Sequence, residues 1–434
     1  MRFEGPPDVS IGALDNFPVQ AAVEGVAPVA AASERRKIVV FGALGANVRH
    51  SDEALHRLTA KGYTLIGLEH KRPVTQEDRP GLPFEEENIY QTNTTEGEAK
   101  ADAVFASNEV KLSLISVVPR LHKPLIKDQL GRAARGQVDY VVVPKPAVET
   151  PEEAREISKD IRATQAARRE LRKKRPELVG GNPDDEVLLV HEHYPEKKAW
   201  STVRQHLGEI ATLLGTVDKV TIDVLEEKTI ESEHRETAVQ GGVFQDLAPH
   251  TMSLAFDIVR AINTSTKDKI STRPTATSMQ RYRYRSSTLK DNVETGFKVT
   301  SKTKITNTES GEASDLDLVM RGGKGLKTQK QVAMEFIHPE TQERSRVVVD
   351  LANNTIVDAP DSVRHLIPAE GYVDNGYGDT IAEGFGEDKP EAHFQLFSDA
   401  RKVIIWGARL AIEGQKQGLI LHDEGVIPDD MLAA

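Results

Sequence analysis

Through the first half of the chain, short blocks of apolar, β-branched residues alternate with stretches of helical periodicity. Lys37-Ile38-Val39-Val40-Phe41 is one such block, and it stops at Gly42-Ala43-Leu44-Gly45-Ala46-Asn47. Ala54, Leu55, Leu58 and Thr59 then share one face of a helix, and Tyr63-Thr64-Leu65-Ile66-Gly67-Leu68 reads as a second strand. Leu112–Val118 predicts a buried strand ending at Pro119-Arg120. Leu125–Ala134 predicts a helix, and Val138–Val143 another buried strand, ending at Pro144-Lys145-Pro146. Apolar strands that alternate with helices imply a parallel sheet covered on both faces.

Pro151–Arg175 predicts a long helix with Ala154, Ile157, Ile161, Ala167 and Leu171 on its inner face, started by Thr150, Pro151 and Glu153. Its basic run, Arg168-Arg169 and Arg172-Lys173-Lys174-Arg175, fits a solvated face whose last turn favours cations. Pro176–Asp185 reads as a loop. Val187-Leu188-Leu189-Val190 is a buried strand that runs into His191-Glu192-His193-Tyr194-Pro195-Glu196-Lys197. A helix over Ala199–Leu214, a strand over Val220–Leu225 and a helix opened by the Gly241–His250 segment follow. Arg273–Asp358 alternates Thr, Val, Tyr and charged residues, which predicts an antiparallel sheet, and a helix is expected over Gln395–Glu413. The expected organisation is an arm over 1–35, a Rossmann-type α/β domain with a parallel sheet over 36–185, and an α+β domain with a large, mostly antiparallel sheet over 186–434.

Composition adds limits. The 434 residues are 38% hydrophobic and 28% charged, which suits a soluble globular chain of two domains. A net charge of −11 argues against general affinity for nucleic acid or an anionic membrane. The absence of cysteine excludes disulfides, cysteine–metal sites and a thiol nucleophile; it agrees with a reducing, cytoplasmic location. No apolar run approaches the roughly 18 residues of a membrane span. The first 32 residues, rich in Pro, Ala, Val and Gly, lack the basic start and apolar run of a secretory signal and read as an extended arm or a tail.

The strand–glycine turn–helix–strand unit at the start is the arrangement that binds a dinucleotide. Glycine lets the backbone approach a pyrophosphate, and the helix N-terminus offers free N–H groups. Gly42, Ala43, Leu44, Gly45, Ala46 and Asn47 are the turn residues expected at the cofactor, with Pro119 and Lys145 at the ends of later strands. After the second strand, Glu69 favours NAD by accepting hydrogen bonds from a ribose. Lys71 and Arg72 favour NADP by holding a 2′-phosphate. Both signals are present, so NADP and NAD both stay open.

Candidate chemistry gathers in the second half. Oxidation of a carbinol needs a base for the hydroxyl proton, and histidine titrates near neutrality. His250, beside Gly241-Gly242, is the candidate base. His191, Glu192, His193 and His250 also have the composition of a zinc or iron site, but hydride chemistry needs no metal and none is expected.

Four patterns occur in order: the Gly42–Gly45 turn, Pro144-Lys145-Pro146, Glu192-His193-Tyr194-x-x-Lys197, and Gly241-Gly242 followed by Asp246-x-x-x-His250. The series resembles the glucose-6-phosphate dehydrogenase family, within the wider superfamily of glucose–fructose oxidoreductase and inositol dehydrogenase. Arg321-Gly322-Gly323-Lys324 is similar to that family's R-T-G-K segment, and Ile337-His338-Pro339-Glu340 to its I-Q-P-D-E strand. Pro144 stands where the family has the glutamate of E-K-P. Glu192 stands where it has the aspartate of D-H-Y-L-G-K. The spacing of Asp246 and His250 is closer to the wider superfamily.

The resemblance implies roles. Glu192 would orient His250, and Lys145 would lie near the nicotinamide and a substrate hydroxyl. His193, Tyr194 and Lys197 would bind a sugar phosphate, and Lys324 would add a substrate contact. Asp246 would bind sugar hydroxyls or, alternatively, only cap its helix. The implied reaction is NAD(P)-dependent oxidation of a sugar phosphate, glucose 6-phosphate to its lactone, in a homodimer or higher oligomer. The alternatives are a dehydrogenase of an unphosphorylated sugar or cyclitol, and a non-catalytic NAD(P)-sensing regulator.

Overall fold

The computed structural model describes residues 35–44, 48, 52–70, 74–75, 83–227, 243–265, 270–283, 295–307, 313–372, 379–386, 393–421 and 431. Two sheets organise them. The first is built from β1 (Lys37–Phe41), β2 (Thr64–Glu69), β3 (Ile89–Gln91), β4 (Val110–Ile115), β5 (Val138–Pro144), β6 (Leu188–His191) and a late strand, β14 (Gln395–Leu396). Their order is β14-β6-β5-β4-β1-β2-β3, parallel throughout except for antiparallel β14 at the edge.

Alternation along these strands explains the two layers of helices. Val39, Ile66, Ile115, Val141 and Val143 pack with Phe105 of α2 (Thr95–Ala106), Ile126 and Leu130 of α3 (His122–Ala134) and Ile157 of α4 (Pro151–Lys174). Ile38, Val40, Leu65, Leu114 and Val142 point to the opposite face, where Leu55 and Leu58 of α1 (Asp52–Ala60) and Phe385 of α7 (Asp379–Gly386) cover them. The helix start anticipated at Thr150, Pro151 and Glu153 is a capping box: Thr150 accepts from Glu153 N–H and the Glu153 side chain reaches back.

The second sheet contains β7 (Thr216–Glu226), β8 (Ile270–Arg283), β9 (Gly296–Asn307), β10 (Ala313–Lys324), β11 (Gln329–Ile337), β12 (Arg344–Asp350), β13 (Thr355–Asp358) and β15 (Leu419–Leu421). They run in the order β13-β12-β11-β7-β10-β9-β8-β15, antiparallel apart from the β7–β10 and β8–β15 pairs. α5 (Lys198–Leu214), α6 (Val243–Ser265) and α8 (Phe397–Gln417) pack on one face of this sheet through Trp200, Leu207, Leu254, Ile258, Val403 and Leu410. The arrangement is the expected one: a Rossmann-type parallel layer followed by an open, largely antiparallel sheet.

Two features depart from the sequence reading. Leu188–His191, on the far side of the expected boundary at residue 185, is the sixth strand of the first sheet and pairs with β5. The chain also returns late to that sheet: β14 pairs with β6, and Tyr63 Oη donates to the carbonyl of Phe385 at 3.1 Å. Pairing of β6 with β5 brings the His191–Lys197 segment to the C-terminal edge of the parallel sheet, beside Lys145.

Gly42 ends β1 with φ +75°, and a Cβ there would lie 2.6 Å from the carbonyl oxygen of Ser116. Gly62 has a similar φ of +87° but nothing within 4 Å of its Cβ position. Gly62→Ala is therefore expected to cost only the left-handed strain, about 1–3 kcal/mol. Gly42→Ala should cost more, because backbone must move. Urea midpoints at constant m-value check this, and equal losses for the two variants would contradict the crowding at Gly42.

Candidate active site

β1 lies between β2 and β4, so the crossovers leave in opposite directions from its C-terminal end. That switch point is where an open α/β sheet binds ligands. Gly42 N–H donates to Leu68 O at 2.8 Å, and Ser116 N–H to Phe41 O at 2.8 Å, which closes the turn against its neighbours. Glu69, buried at the end of β2, accepts from Leu44 N–H at 3.2 Å and from His70 N–H at 3.1 Å. A glycine turn too tight for a side chain, with a carboxylate at its rim, fits a dinucleotide. Gly42, Ala43, Leu44 and Glu69 are thus placed together, and Pro119 opens a short 3-10 turn after β4. Gly45, Ala46, Asn47, Lys71, Arg72, Gly241 and Gly242 lie outside the described residues.

The second constellation joins the two sheets. Glu192 follows β6 and His250 lies in α6. His250 Nδ1 is 2.8 Å from both Glu192 carboxylate oxygens, and Tyr194 N–H donates to Oε1 at 3.3 Å. Both side chains are almost wholly shielded from solvent. Burial pushes the Glu192 carboxyl upward, but the charge and hydrogen bond of His250, with His193 and Lys145, outweigh it and bring it to about 2. Burial lowers the His250 imidazole below its ordinary value, with Glu192 pulling the other way. The carboxylate is ionised and the ring is neutral near pH 7. A carboxylate can only accept, so Nδ1 carries the proton and Nε2 is the basic nitrogen.

α6 begins at Val243, so Asp246 is in its first turn and is not its N-cap, and Pro249 and His250 lie inside the helix. The capping alternative for Asp246 gives way to ion pairing. Lys145 Nζ donates to Asp246 O at 2.6 Å and lies 3.4 Å from Oδ1, while Lys324 Nζ is 2.8 Å from Oδ2. Lys324 also meets Glu226 at 3.0 Å, and Glu226 meets Lys330 at 3.1 Å. Burial would raise Asp246 and lower Lys324. Their mutual attraction, helped by Lys145 and Glu226, reverses both, leaving the Asp246 carboxyl well below its usual range and the Lys324 ammonium above its own. Lys145, Asp246, Lys324, Glu226 and Lys330 form one line of alternating charge.

Glu226 and Lys330 were not singled out from the sequence. The signal that finds them is strand register: parallel β7 and β10 set Glu226 opposite Lys324, and antiparallel β11 brings Lys330 opposite Val224.

The segment after β6 divides. His191 turns away, its Nε2 3.0 Å from Thr380 Oγ1. The His193 ring lies 5.5 Å from that of His250, and Tyr194 lies 4.7 Å from it. Burial pushes the Tyr194 hydroxyl up to about 12, against the pull of Lys330, and holds His193 far below the usual histidine range. Lys197 is buried nearby. Glu192, His193 and His250 each offer a ligand atom within 4.8 Å of the others, but both Glu192 oxygens already face the His250 N–H.

No family model matches the chain, and no curated protein matches it. Solved structures do. A glucose-6-phosphate 1-dehydrogenase from Mycobacterium avium is similar at a TM-score of 0.60 and 15% identity, over 90% of this chain and 94% of that one. A UDP-N-acetylglucosamine 3-dehydrogenase from Acidithiobacillus ferrooxidans is similar at 0.54 and 13%, over 88% and 98%. A myo-inositol dehydrogenase from Corynebacterium glutamicum is similar at 0.53 and 12%, again over 88% and 98%. At these identities the likeness is one of fold. It covers both sheets and agrees with the fold of the resemblance read from the motifs.

The pair makes a titration prediction. In NMR of the histidine ring protons, assigned with His250→Asn, His250 should titrate below the roughly 6.5 of a free imidazole. Glu192→Gln should lower that midpoint further, because it removes the charge that favours the protonated ring. A midpoint above the free value, or one raised by the glutamine, would contradict the geometry.

Proposed function

We propose that the chain is a nicotinamide-dependent dehydrogenase that oxidises a ring hydroxyl of an unphosphorylated sugar or cyclitol. The observation that carries this reading is the buried Glu192–His250 pair. A neutral imidazole with Nδ1–H committed to a carboxylate is a base at Nε2, and the same carboxylate stabilises the imidazolium that forms when it takes the hydroxyl proton. Bound dinucleotide would supply the hydride acceptor. Gly42, Ala43, Leu44 and Glu69 are the described residues that would hold it, and a carboxylate at the end of β2 supports NAD over NADP.

The line of alternating charge supports a neutral polyhydroxylated substrate. Lys145 and Asp246, beside His250, can donate to and accept from hydroxyls. Lys324 is shared by Asp246 and Glu226, and Lys330 shares Glu226, so two carboxylates offset most of the charge of the three lysines, whereas a phosphate asks for largely uncompensated positive charge. The glucose 6-phosphate reading would depend on His193, Tyr194 and Lys197. It has less support, because burial keeps His193 neutral and Tyr194 is engaged near Lys330.

Absorbance of reduced nicotinamide, with NAD or NADP and a panel of free and phosphorylated sugars and cyclitols, tests the reading. Turnover of free polyols, faster with NAD, is expected. His250→Asn should lower kcat by about 10²–10⁴-fold with KM little changed. Turnover of phosphorylated sugars alone would overturn the substrate class. Dinucleotide binding without turnover of any substrate would favour the regulatory reading instead.

A further inference from the structure

The helix that carries His250 is tied to its neighbours by a carboxylate outside the constellation described so far. Asp257 lies seven residues after His250 in α6, two helical turns on, so both side chains leave the same face. Its Oδ2 accepts from Trp200 Nε1–H at 2.7 Å, and Arg204 Nη1 lies 3.1 and 3.0 Å from Oδ1 and Oδ2. Trp200 and Arg204 are one turn apart in α5, and Trp200 has no solvent exposure. The same Arg204 nitrogen is 4.0 Å from Glu196, in the turn that follows Glu192. Burial pushes the Glu196 carboxyl up to about 7, against the pull of Arg204, so the Asp257 contacts carry the tie and Glu196 adds to it when ionised.

Pro249 makes this tie matter. Proline has no N–H, so the helical hydrogen bond that would hold the turn before His250 is missing. The direction of the imidazole is then set by the helix after it, whose rotation is fixed where Asp257 meets α5. Apolar burial of Leu254 and Ile258 on the same helix is not directional, whereas the hydrogen bond and ion pair at Asp257 are. A turn of α6 about its axis would carry His250 Nδ1 away from Glu192.

We propose that Asp257 is a positioning residue: held by Trp200 and Arg204, it sets the rotation of α6 that aims His250 Nδ1 at Glu192, and so holds the tautomer that leaves Nε2 bare. The tautomer is a property of the folded chain; its consequence for catalysis rests on the dehydrogenase reading. Asp257 acts through the ring it aims, not by contact with substrate.

Ring ¹⁵N NMR of the full chain with labelled histidine, assigned with His250→Asn and His122→Asn, reads this without dinucleotide or substrate. In the wild-type chain at pH 7, His250 should be protonated at Nδ1 and bare at Nε2. In Asp257→Leu, which removes both contacts, the ratio of Nδ1- to Nε2-protonated ring should fall about tenfold, the weight of one hydrogen bond to a charged group. Asp257→Asn keeps an acceptor for Trp200 and should recover most of the wild-type ratio. His122, buried at the start of α3, should keep its signals in every Asp257 variant. Should Asp257→Leu fail to fold, Trp200→Phe combined with Arg204→Met removes the same two contacts and should give the same fall. A wild-type ring protonated at Nε2, an unchanged ratio, equal falls in Asp257→Leu and Asp257→Asn, or a matching change at His122 would overturn the proposal. A chain that binds no dinucleotide would sink the dehydrogenase reading, and the ratio would still decide the role of Asp257.

Discussion

Glu192 has almost no contact with water, yet it is ionised, and an ionised carboxylate removed from solvent is tolerated only where donors and an opposing dipole or charge replace its hydration. Those donors are His250 Nδ1–H and the N–H of Tyr194. The partners arrive from different layers, Glu192 from the edge of the parallel sheet and His250 from a helix packed on the antiparallel one. Satisfying one buried charge therefore constrains how strand β6 and helix α6 meet. It also fixes the tautomer of the imidazole, and that tautomer decides which nitrogen is basic. Glutamate is one methylene longer than the aspartate of the motif it resembles, and its carboxylate reaches the ring with both oxygens at 2.8 Å.

Around that pair the chain places cations and anions alternately. Each lysine in the line from Lys145 to Lys330 has a carboxylate neighbour, so the cluster is polar without a large net field. Such a surface suits hydroxyl groups, which both donate and accept. Lys324 is nearly buried and shared by Asp246 and Glu226, so its position is as constrained as a core side chain. Rigid placement of polar groups in this way would keep reorganisation small in the proton transfer proposed for His250.

Much of this was legible in the sequence because it is written in local pattern. Strands with apolar residues on both faces predicted the parallel sheet, and alternation over Arg273–Asp358 predicted the antiparallel one. The motif order brought Glu192, Lys145, Asp246 and His250 to one site. What escaped was non-local or weakly patterned. β3 has three half-buried residues, and α2 carries little apolar contrast, so neither stands out as a periodic segment. The pairing of β6 with β5 and the return of β14 are tertiary choices that no local window contains. Glu226 and Lys330 depend on strand register. Asp246 looked like a helix cap because Gly241-Gly242 and Pro249 suggested a later start than Val243.

The most direct test of the account is a crystal structure of the chain with NAD and a non-reacting polyol bound. The account places the polyol hydroxyl about 3 Å from His250 Nε2, with the nicotinamide ring on its other side and Glu192 still paired to Nδ1. A nicotinamide bound away from His250, or a Glu192–His250 pair that separates when the ligands bind, would contradict it.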